Sequence, residues 1–391
     1  MSSHSHVCDR LAVFGETVFA TWSRLAAQHG AVNLGQGFPD FDGPPEAIDA
    51  AHHAMRAGHN QYAPMPGVPA LRDAIAADLH AQGGWQVDAN TDITVTAGCT
   101  EAIAASMLGL LNPGDEVIVF EPYYDSYPAT IAMAGGVMRT VTTRPPGFGI
   151  DLDAVRAAVS PRTRVILLNT PHNPTGHVAT MAELRGLADL AVKHDLVVIA
   201  DEVYDHMVYD GVHVSMATLP GMWSRTITLK SFAKTFSMTG WKIGWAVAPP
   251  HLTAAVRAAH QFLAYAIATP LQHGAAAAIA LGTDYYSQLQ QDYLARRDML
   301  CDALHAAGFG VHPPEGTYFV MCDHTPFGFE TSEAFCTHLV EDIGVAAIPP
   351  GSFYADPADG RDLVRFAFCK TMPVLEEAAA RLSRLQVAAG R

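Results

Sequence analysis

Short runs of consecutive apolar, mostly β-branched residues recur along the first two thirds of the chain. Seven runs are bounded by polar residues or turn formers, at 93–96, 116–120, 137–141, 164–168, 196–200, 226–229 and 244–248. Helix-like stretches lie between many of them, at 101–111, 153–159, 181–194 and 251–263. Strands covered on both faces are apolar at successive positions rather than at alternate ones. The pattern predicts an α/β domain with a mostly parallel seven-stranded sheet flanked by helices.

The pattern changes near residue 284. A long helical stretch continues to about Gly308, strand-like pieces follow at 316–321, 344–348 and 363–368, and a last helix begins near Leu375. This arrangement predicts a smaller α+β domain that a connecting helix joins to the large one.

Charge and cysteine usage narrow the possible functions. The 391 residues include 24 Lys and Arg against 39 Asp and Glu, a net charge of −15. Nucleic acids and anionic membranes bind through dense positive charge, so we expect neither as the main partner. The six cysteines are scattered without a Cys-x-x-Cys pair, which favours a reducing, cytoplasmic setting. The histidines show no metal-ligand spacing, so we expect no metal.

One stretch, 258–283, contains no Asp, Glu, Lys or Arg. His260, Pro270 and Gly274 interrupt it, whereas a membrane-spanning helix needs about 20 mostly apolar residues. We therefore expect no membrane span there.

Polar clusters follow three of the predicted buried strands. Asn169 to Gly176 (NTPHNPTG), Asp201 to Tyr204 (DEVY) and Ser231 to Trp245 (SFAKTFSMTGWKIGW) each begin where a strand ends. Because ligands of open α/β sheets bind at the carboxyl ends of the strands, we expect these clusters to share one crevice. A fourth cluster, 96–101, turns from strand to helix and suits a phosphate at the helix N-terminus. Lys234 has few charged neighbours, which favours the neutral amine that Schiff-base chemistry needs.

These residues carry a family resemblance that extends over nearly the whole chain. The motifs are NLGQGFPDF (33–41), NQYAPMPGVPALRDAI (60–75), NPGDEVIVFEPYYDSY (112–127), DEVYDHMVYDG (201–211), VRFAFCK (364–370) and the two clusters around Asn173 and Lys234. The sequence resembles the class I aminotransferases of the fold-type I pyridoxal-phosphate enzymes. Within them it is most similar to the subgroup of kynurenine, glutamine, methionine and N-succinyldiaminopimelate aminotransferases.

The resemblance implies pyridoxal 5′-phosphate as the cofactor and assigns residues to its ring. Lys234 matches the catalytic lysine that forms the Schiff base and shuttles the substrate proton. Asp201 matches the acid that keeps the pyridine nitrogen protonated. Tyr204 and Asn173 match the donors to the phenolic oxygen, and Tyr124 matches the ring that stacks on the cofactor.

The resemblance also assigns the cofactor's phosphate. Its contacts map to Ser231, Lys242 and the backbone around Cys99 and Thr100. Many relatives have Arg where this chain has Lys242, so a point charge replaces a two-pronged donor. Tyr62 matches a tyrosine that reaches the phosphate of the neighbouring subunit. The resemblance therefore implies a homodimer with shared active sites.

For the substrate, the resemblance implies that Arg365 clamps the α-carboxylate and that Gly37 makes a backbone contact. It also assigns Asn173 and Phe19 to substrate binding. Phe19 and Thr100 stand where some kynurenine-type relatives have larger aromatic groups, which weakens a strictly aromatic preference. We expect N-succinyl-diaminopimelate as the amino donor, with methionine, glutamine and kynurenine also open, and 2-oxoglutarate as a plausible acceptor.

The family pattern further implies residues 45–285 as the large cofactor domain, and 1–44 with 286–391 as the small domain. Two other functions stay open at this point. The same scaffold supports a β-lyase of the cysteine-conjugate or cystathionine type. A non-catalytic regulator with an aminotransferase-like domain is a different class, and the intact set of site residues argues against it.

Overall fold

The computed structural model describes residues 6–387. Within these residues the strands, in chain order, are β1 Val32–Asn33, β2 Ile93–Thr96, β3 Glu116–Glu121, β4 Val137–Thr142, β5 Thr163–Asn169, β6 Val197–Asp201, β7 Thr226–Ser231, β8 Gly244–Val247, β9 Gly310–His312, β10 Phe319–Asp323, β11 Val345–Ala346 and β12 Leu363–Ala367.

The α-helices of the same residues are α1 Asp9–Ala12, α2 Val18–His29, α3 Pro45–Arg56, α4 Pro69–Gly83, α5 Gly98–Leu110, α6 Ser126–Met133, α7 Leu152–Ala158, α8 Met181–Lys193, α9 Phe232–Thr235, α10 Pro250–Leu263, α11 Thr269–Ile279, α12 Gly282–Ala307, α13 Ser332–His338 and α14 Met372–Leu382. A π-helical turn, Leu339–Ile343, follows α13. Single 3₁₀ turns lie at Met216–Thr218, Trp223–Arg225, Thr239–Trp241, Thr325–Phe327, Pro350–Phe353 and Pro357–Gly360.

Seven strands form one large sheet in the order β2-β8-β7-β6-β5-β3-β4. Only β8 runs antiparallel to its neighbours, so the sheet is mostly parallel. Each of its strands lies at one of the seven apolar runs, and the four expected helices appear as α5, α7, α8 and α10. The predicted α/β fold class is confirmed.

The C-terminal part contains the long helix α12 and an antiparallel sheet of order β12-β10-β9. Strand β1 pairs in parallel with β11, which joins a segment early in the chain to the C-terminal part. The strands β1 and β9 were not predicted, because two or three residues are too short to show an apolar pattern. The division at residues 44 and 285 stays a prediction, and its outer ends, 1–5 and 388–391, lie outside the described residues.

Two helices on one face of the large sheet approach each other very closely. A Cβ atom on Gly109 of α5 would lie 2.2 Å from the carbonyl oxygen of Ala255 in α10. Only glycine leaves room for this contact, because a Cβ carbon and a carbonyl oxygen that are not bonded cannot come this close. Helix α5 begins at the same sheet edge as the predicted site, so the contact also fixes that edge.

Gly109→Ala is expected to destabilise the protein by about 1–3 kcal/mol, because the added methyl group forces α5 and α10 apart. The measurement is the midpoint of thermal or urea unfolding. Gly147→Ala is the matched control, since a Cβ atom there would meet nothing within 4 Å. Equal midpoints for the two variants would show that the helix contact tolerates the extra carbon.

Candidate active site

A cavity opens at the carboxyl edge of the large sheet, between strand ends, the start of α5, the N-terminal loop and β12. It is lined by twelve of the thirteen residues that the sequence assigned to a site, namely Phe19, Gly37, Cys99, Thr100, Tyr124, Asn173, Asp201, Tyr204, Ser231, Lys234, Lys242 and Arg365. The thirteenth, Tyr62, does not line it and is 85% exposed. The predicted crevice therefore exists, and four separate segments meet in it.

Asp201 is the last residue of β6, and its carboxylate is buried in the wall of the cavity. The hydroxyl of Tyr127 donates a hydrogen bond to Oδ2 at 2.7 Å, and the Cys99 thiol donates to Oδ1 at 3.7 Å. Burial raises the pKa of Asp201 to about 6, although these hydrogen bonds act in the opposite direction. Within residues 6–387 the carboxylate forms no ion pair, and it is suited to accept a cation.

Tyr127 is a site residue that the sequence reasoning missed. It lies in the motif EPYYDSY beside Tyr124, and its ring packs edge-on against the Tyr124 ring. Nothing in the sequence distinguishes the tyrosine that supports Asp201 from its neighbours, because the contact joins residues 74 positions apart.

Lys234 lies in the short helix α9, directly after β7. Its Nζ is 5.7 Å from the centre of the Tyr318 ring and 5.9 Å from that of Tyr204. It donates one long hydrogen bond, of 3.5 Å, to the carbonyl oxygen of Gly37. Desolvation in this setting lowers the pKa of Lys234, the direction that the sequence predicted, so a larger fraction of the amine is neutral than in water.

The first turn of α5 lines the cavity. Gly98, Cys99 and Thr100 are the first three residues of the helix, and no side chain caps them. Backbone N–H groups in a first turn have no partner within the helix and attract anions. Gly244 permits this arrangement, because a Cβ atom there would lie 2.6 Å from the Cys99 nitrogen.

Lys242 adds a positive charge at the same place. Its Nζ would be 3.7 Å from a Cβ atom built on Gly98, and its backbone adopts the left-handed conformation with φ of 51°. Within residues 6–387 its side chain makes no hydrogen bond or ion pair. An uncommitted ammonium beside a helix N-terminus forms a site for a phosphate-sized anion.

Arg365 of β12 is 1% exposed and lies across the cavity. Its Nη1 donates to Asn173 Oδ1 at 3.2 Å, its Nη2 donates to the carbonyl oxygen of Gly35 at 2.9 Å, and its buried Nε has no partner. Burial lowers the pKa of Arg365 to about 10, so the guanidinium stays charged at neutral pH. A buried cation with an unsatisfied donor is suited to a carboxylate.

Aromatic rings enclose this guanidinium. Its central carbon lies 4.1 Å from the centre of the Phe319 ring, 5.1 Å from Phe19 and 5.3 Å from Phe353. Phe319 also packs against Gly37, where a Cβ atom would lie 2.6 Å from the ring. The sequence predicted Phe19 and Gly37 here but missed Phe319 and Phe353.

Comparisons with known proteins agree with this geometry. Residues 29–382 match the family described as aminotransferase class I and II. The chain is 49% identical over 388 residues to the probable N-succinyldiaminopimelate aminotransferase of Mycobacterium tuberculosis, covering 96% of this chain and 98% of the relative. It is 42% identical over 377 residues to the methionine aminotransferase of Escherichia coli, covering 96% and 97%.

The fold agrees as well. A solved structure of N-succinyldiaminopimelate aminotransferase from Mycobacterium tuberculosis has a TM-score of 0.94 and 49% identity, over 97% of this chain and 100% of that one. The fold and the site thus define a fold-type I enzyme of amino-group transfer. The chain belongs to the class I and II aminotransferase family, and it is an aminotransferase.

Two kinds of feature are absent from residues 6–387. No helix within residues 6–387 combines the length and the hydropathy that crossing a bilayer requires. The same residues contain no group of three or more His, Cys, Asp or Glu side chains that could hold a metal ion.

The raised pKa of Asp201 predicts a pH-dependent loss of stability in the ligand-free protein. The folded carboxyl holds its proton up to about pH 6 and the unfolded one only to about pH 4, so folding becomes less favourable as the pH rises through this window. Asp201→Asn removes this loss. We expect the variant to be about 3 kcal/mol more stable than the unchanged ligand-free protein at pH 7.5, and equal to it at pH 4.

The measurement is urea unfolding of both proteins at several pH values. Asp189→Asn in α8, away from the cavity, is the control for a generic effect of removing one carboxylate. A stability difference between Asp201→Asn and the unchanged protein that does not vary with pH would contradict the prediction.

Proposed function

We propose that this aminotransferase uses pyridoxal 5′-phosphate to move the amino group of an L-amino acid to a 2-oxo acid. One observation carries the proposal: the amine of Lys234, the buried carboxylate of Asp201 and the buried guanidinium of Arg365 share one cavity. An amine for a carbonyl group, an acceptor for a protonated ring nitrogen and a cation for a carboxylate are what this reaction needs.

The cavity fits the cofactor's phosphate. Residues 98–100, whose N–H groups have no helical partner, line the cavity together with Lys242 and Ser231, and the Lys242 ammonium lies beside Gly98. A phosphate accepts several hydrogen bonds and carries up to two negative charges, so these donors suit it. Cys99 and Thr100 would contribute through their backbone.

The cavity also fits the ring of the cofactor. The Asp201 carboxylate would hold the ring nitrogen, because a positive charge beside it offsets the free energy lost on burial. Tyr204 and Asn173 would donate to the phenolic oxygen, and Tyr124 would stack on the ring. Tyr204 is buried and Tyr124 is partly buried, and both line the cavity, where they would limit the access of water to the ring.

The protein's own part in the reaction centres on Lys234. Pyridoxal phosphate, when bound, supplies an electron-withdrawing ring that makes the Cα proton of an amino acid acidic. Because desolvation lowers the pKa of Lys234, more of this amine is neutral than in water. The neutral Nζ can remove the proton from the substrate Cα and later return one.

Arg365 would bind the α-carboxylate of the amino donor and, in the second half of the reaction, that of the 2-oxo acid. Its Nη1 contact to Asn173 orients the planar guanidinium toward the cavity. One residue can serve both substrates because both carry the same carboxylate. Gly37 and Phe19 would border the substrate on the side of the N-terminal loop.

For the amino donor we propose N-succinyl-diaminopimelate, with methionine, glutamine and kynurenine as further candidates and 2-oxoglutarate as the acceptor. The support is the 49% identity to a protein named for the first compound and the 42% identity to one named for methionine.

We further propose a homodimer that places Tyr62 in the partner's active site. Tyr62 is 85% exposed, and its ring packs edge-on against Tyr265. The adjacent end of α10 exposes Phe262 and Leu263, with 87% and 49% of their surface accessible. Clustered exposed apolar side chains of this size are typical of an interface between subunits.

A cytoplasmic location is also part of the proposal. All six cysteines are free thiols, and three of them are fully buried. Free thiols are typical of reducing compartments. The net charge of −15 gives no support to nucleic acid or anionic lipid as a partner.

Lys234→Ala is expected to lose the visible absorbance of the bound cofactor and at least about 10²-fold in kcat, because no other amine takes over the proton at Cα. The measurements are the absorption spectrum and glutamate formation from an amino donor and 2-oxoglutarate. Lys193→Ala, at an exposed position at the end of α8, is the matched control. Normal turnover by Lys234→Ala would remove the basis of the proposal.

A panel of amino donors with 2-oxoglutarate tests the substrate class. Since Arg365 binds a group that all α-amino acids share, we expect glutamate from several donors, with the highest kcat/KM for N-succinyl-diaminopimelate. The control is the decarboxylated analogue of each donor, which should give none. Pyruvate and ammonia released from a donor such as a cysteine conjugate, without any oxo acid, would indicate the β-lyase instead.

A further inference from the structure

We propose that His260 and Glu101 form a buried charge pair that positions the phosphate-binding end of α5, a role that rests on the proposed cofactor. Neither residue lines the cavity, so both act through the backbone. They are positioning residues rather than catalytic ones. Their contacts connect three segments of the chain, namely α10, the start of α5 and the loop before α4.

His260 lies in α10 and is fully buried. Its Nδ1 is 2.7 Å from Glu101 Oε1, and its Nε2 is 3.1 Å from the carbonyl oxygen of Met65. A carboxylate and a carbonyl oxygen can only accept hydrogen bonds. When Glu101 is ionised, only a ring with a proton on both nitrogens satisfies both contacts, and the proposed pair is therefore a His260 cation beside a Glu101 carboxylate.

Glu101 connects this pair to the helix end. Its second oxygen, Oε2, accepts a hydrogen bond from the backbone N–H of Ala97. Ala97 is the N-cap residue of α5, and its methyl side chain cannot accept a hydrogen bond from the first turn of the helix. Because Glu101 holds this peptide group, it also holds the next three residues, Gly98, Cys99 and Thr100, which line the cavity.

The charge of His260 has a separate effect. The Glu101 carboxylate lies in the first turn of α5, close to where the phosphate would bind, and two negative charges near each other repel. The His260 cation offsets the charge of Glu101. Without it the carboxylate would weaken binding of a phosphate while leaving binding of an uncharged ligand nearly unchanged.

The contact to Met65 anchors His260 to a rigid part of the structure. The neighbouring carbonyl oxygen of Pro66 accepts a hydrogen bond of 3.0 Å from Val95 in β2. The backbone N–H of Val68 donates to Gln272 Oε1 at 2.8 Å. The histidine is therefore held on both sides, which is what a positioning residue requires.

The test compares two probes on full-length protein freed of cofactor by incubation with an amino donor, which takes the cofactor off Lys234, followed by dialysis. Pyridoxal 5′-phosphate and pyridoxal differ only in the phosphate, and their dissociation constants are measured from the quenching of protein fluorescence. For His260→Phe we expect at least about a tenfold weaker affinity for pyridoxal 5′-phosphate and a change within about twofold for pyridoxal. Loss of stability alone would change both affinities together.

A double variant separates the charge from the packing. Adding Glu101→Gln to His260→Phe removes the uncompensated charge and keeps an oxygen for Ala97, so it should restore most of the affinity for pyridoxal 5′-phosphate. His260→Gln, which keeps hydrogen-bonding groups without a charge, is the milder variant if His260→Phe does not fold. It should show the same selective loss to a smaller extent.

The matched control is His177→Phe, since His177 pairs with Glu183 at 3.1 Å in the first turn of another helix, α8. In His177→Phe the ratio of the affinities for pyridoxal 5′-phosphate and pyridoxal should stay unchanged. Equal effects on both probes in His260→Phe, or no rescue by the double variant, would overturn the role of the pair. Failure of the unchanged protein to bind pyridoxal 5′-phosphate would contradict the proposed cofactor instead.

Discussion

The register of three parallel strands is the constraint on which the active site depends. In β5 and β6, Asn169 lies opposite Asp201, so both side chains leave the sheet at the same edge. Side chains alternate between the two faces of a strand, and a slip of one residue would exchange them. Next to Asp201 lies Glu202, whose carboxylate instead contacts Ser215 and His213 away from the cavity.

The same alternation separates two other neighbours. Ser231 lines the cavity, whereas Lys230 is directed away from it and forms a buried ion pair with Asp205. A shift of register would thus place Glu202 and Lys230 in the cavity, where their size and charge do not match the groups described above. The side chains of β5 and β6 pack alternately into two different buried clusters, so a slip would exchange them between faces that are close-packed around side chains of other shapes.

Much of the fold could be predicted from the sequence, because the apolar pattern of a buried strand lies within a few consecutive residues. A strand that is buried on both faces needs apolar residues at every position, and this requirement is visible in runs such as 164–168 and 196–200. The two-residue strands β1 and β11 depend on each other across the whole chain, and the sequence near β1 shows no such run.

The site residues divide in the same way, into those that a local motif identifies and those that only distant contacts reveal. Lys234, Asp201 and Arg365 were identified because their motifs match a family, and the structure brings them together. Tyr127 and Phe353 were missed because their roles arise from contacts with residues far away in the sequence. His260 looked like an interruption in an uncharged stretch, and only its three-dimensional contacts show a partner for each ring nitrogen.

The active site carries charges that the fold by itself does not favour. Burial raises the pKa of Asp201 and lowers the pKa values of Lys234 and Arg365. In all three residues burial thus disfavours the charged form, so each charge reduces the stability of the ligand-free protein. The apolar strands below the cavity offset this reduction. A ligand with a cation for Asp201 and an anion for Arg365 returns part of the lost free energy, and binding and folding are therefore linked. The tension between stability and function is concentrated at the one edge of the sheet where the strand register places these groups.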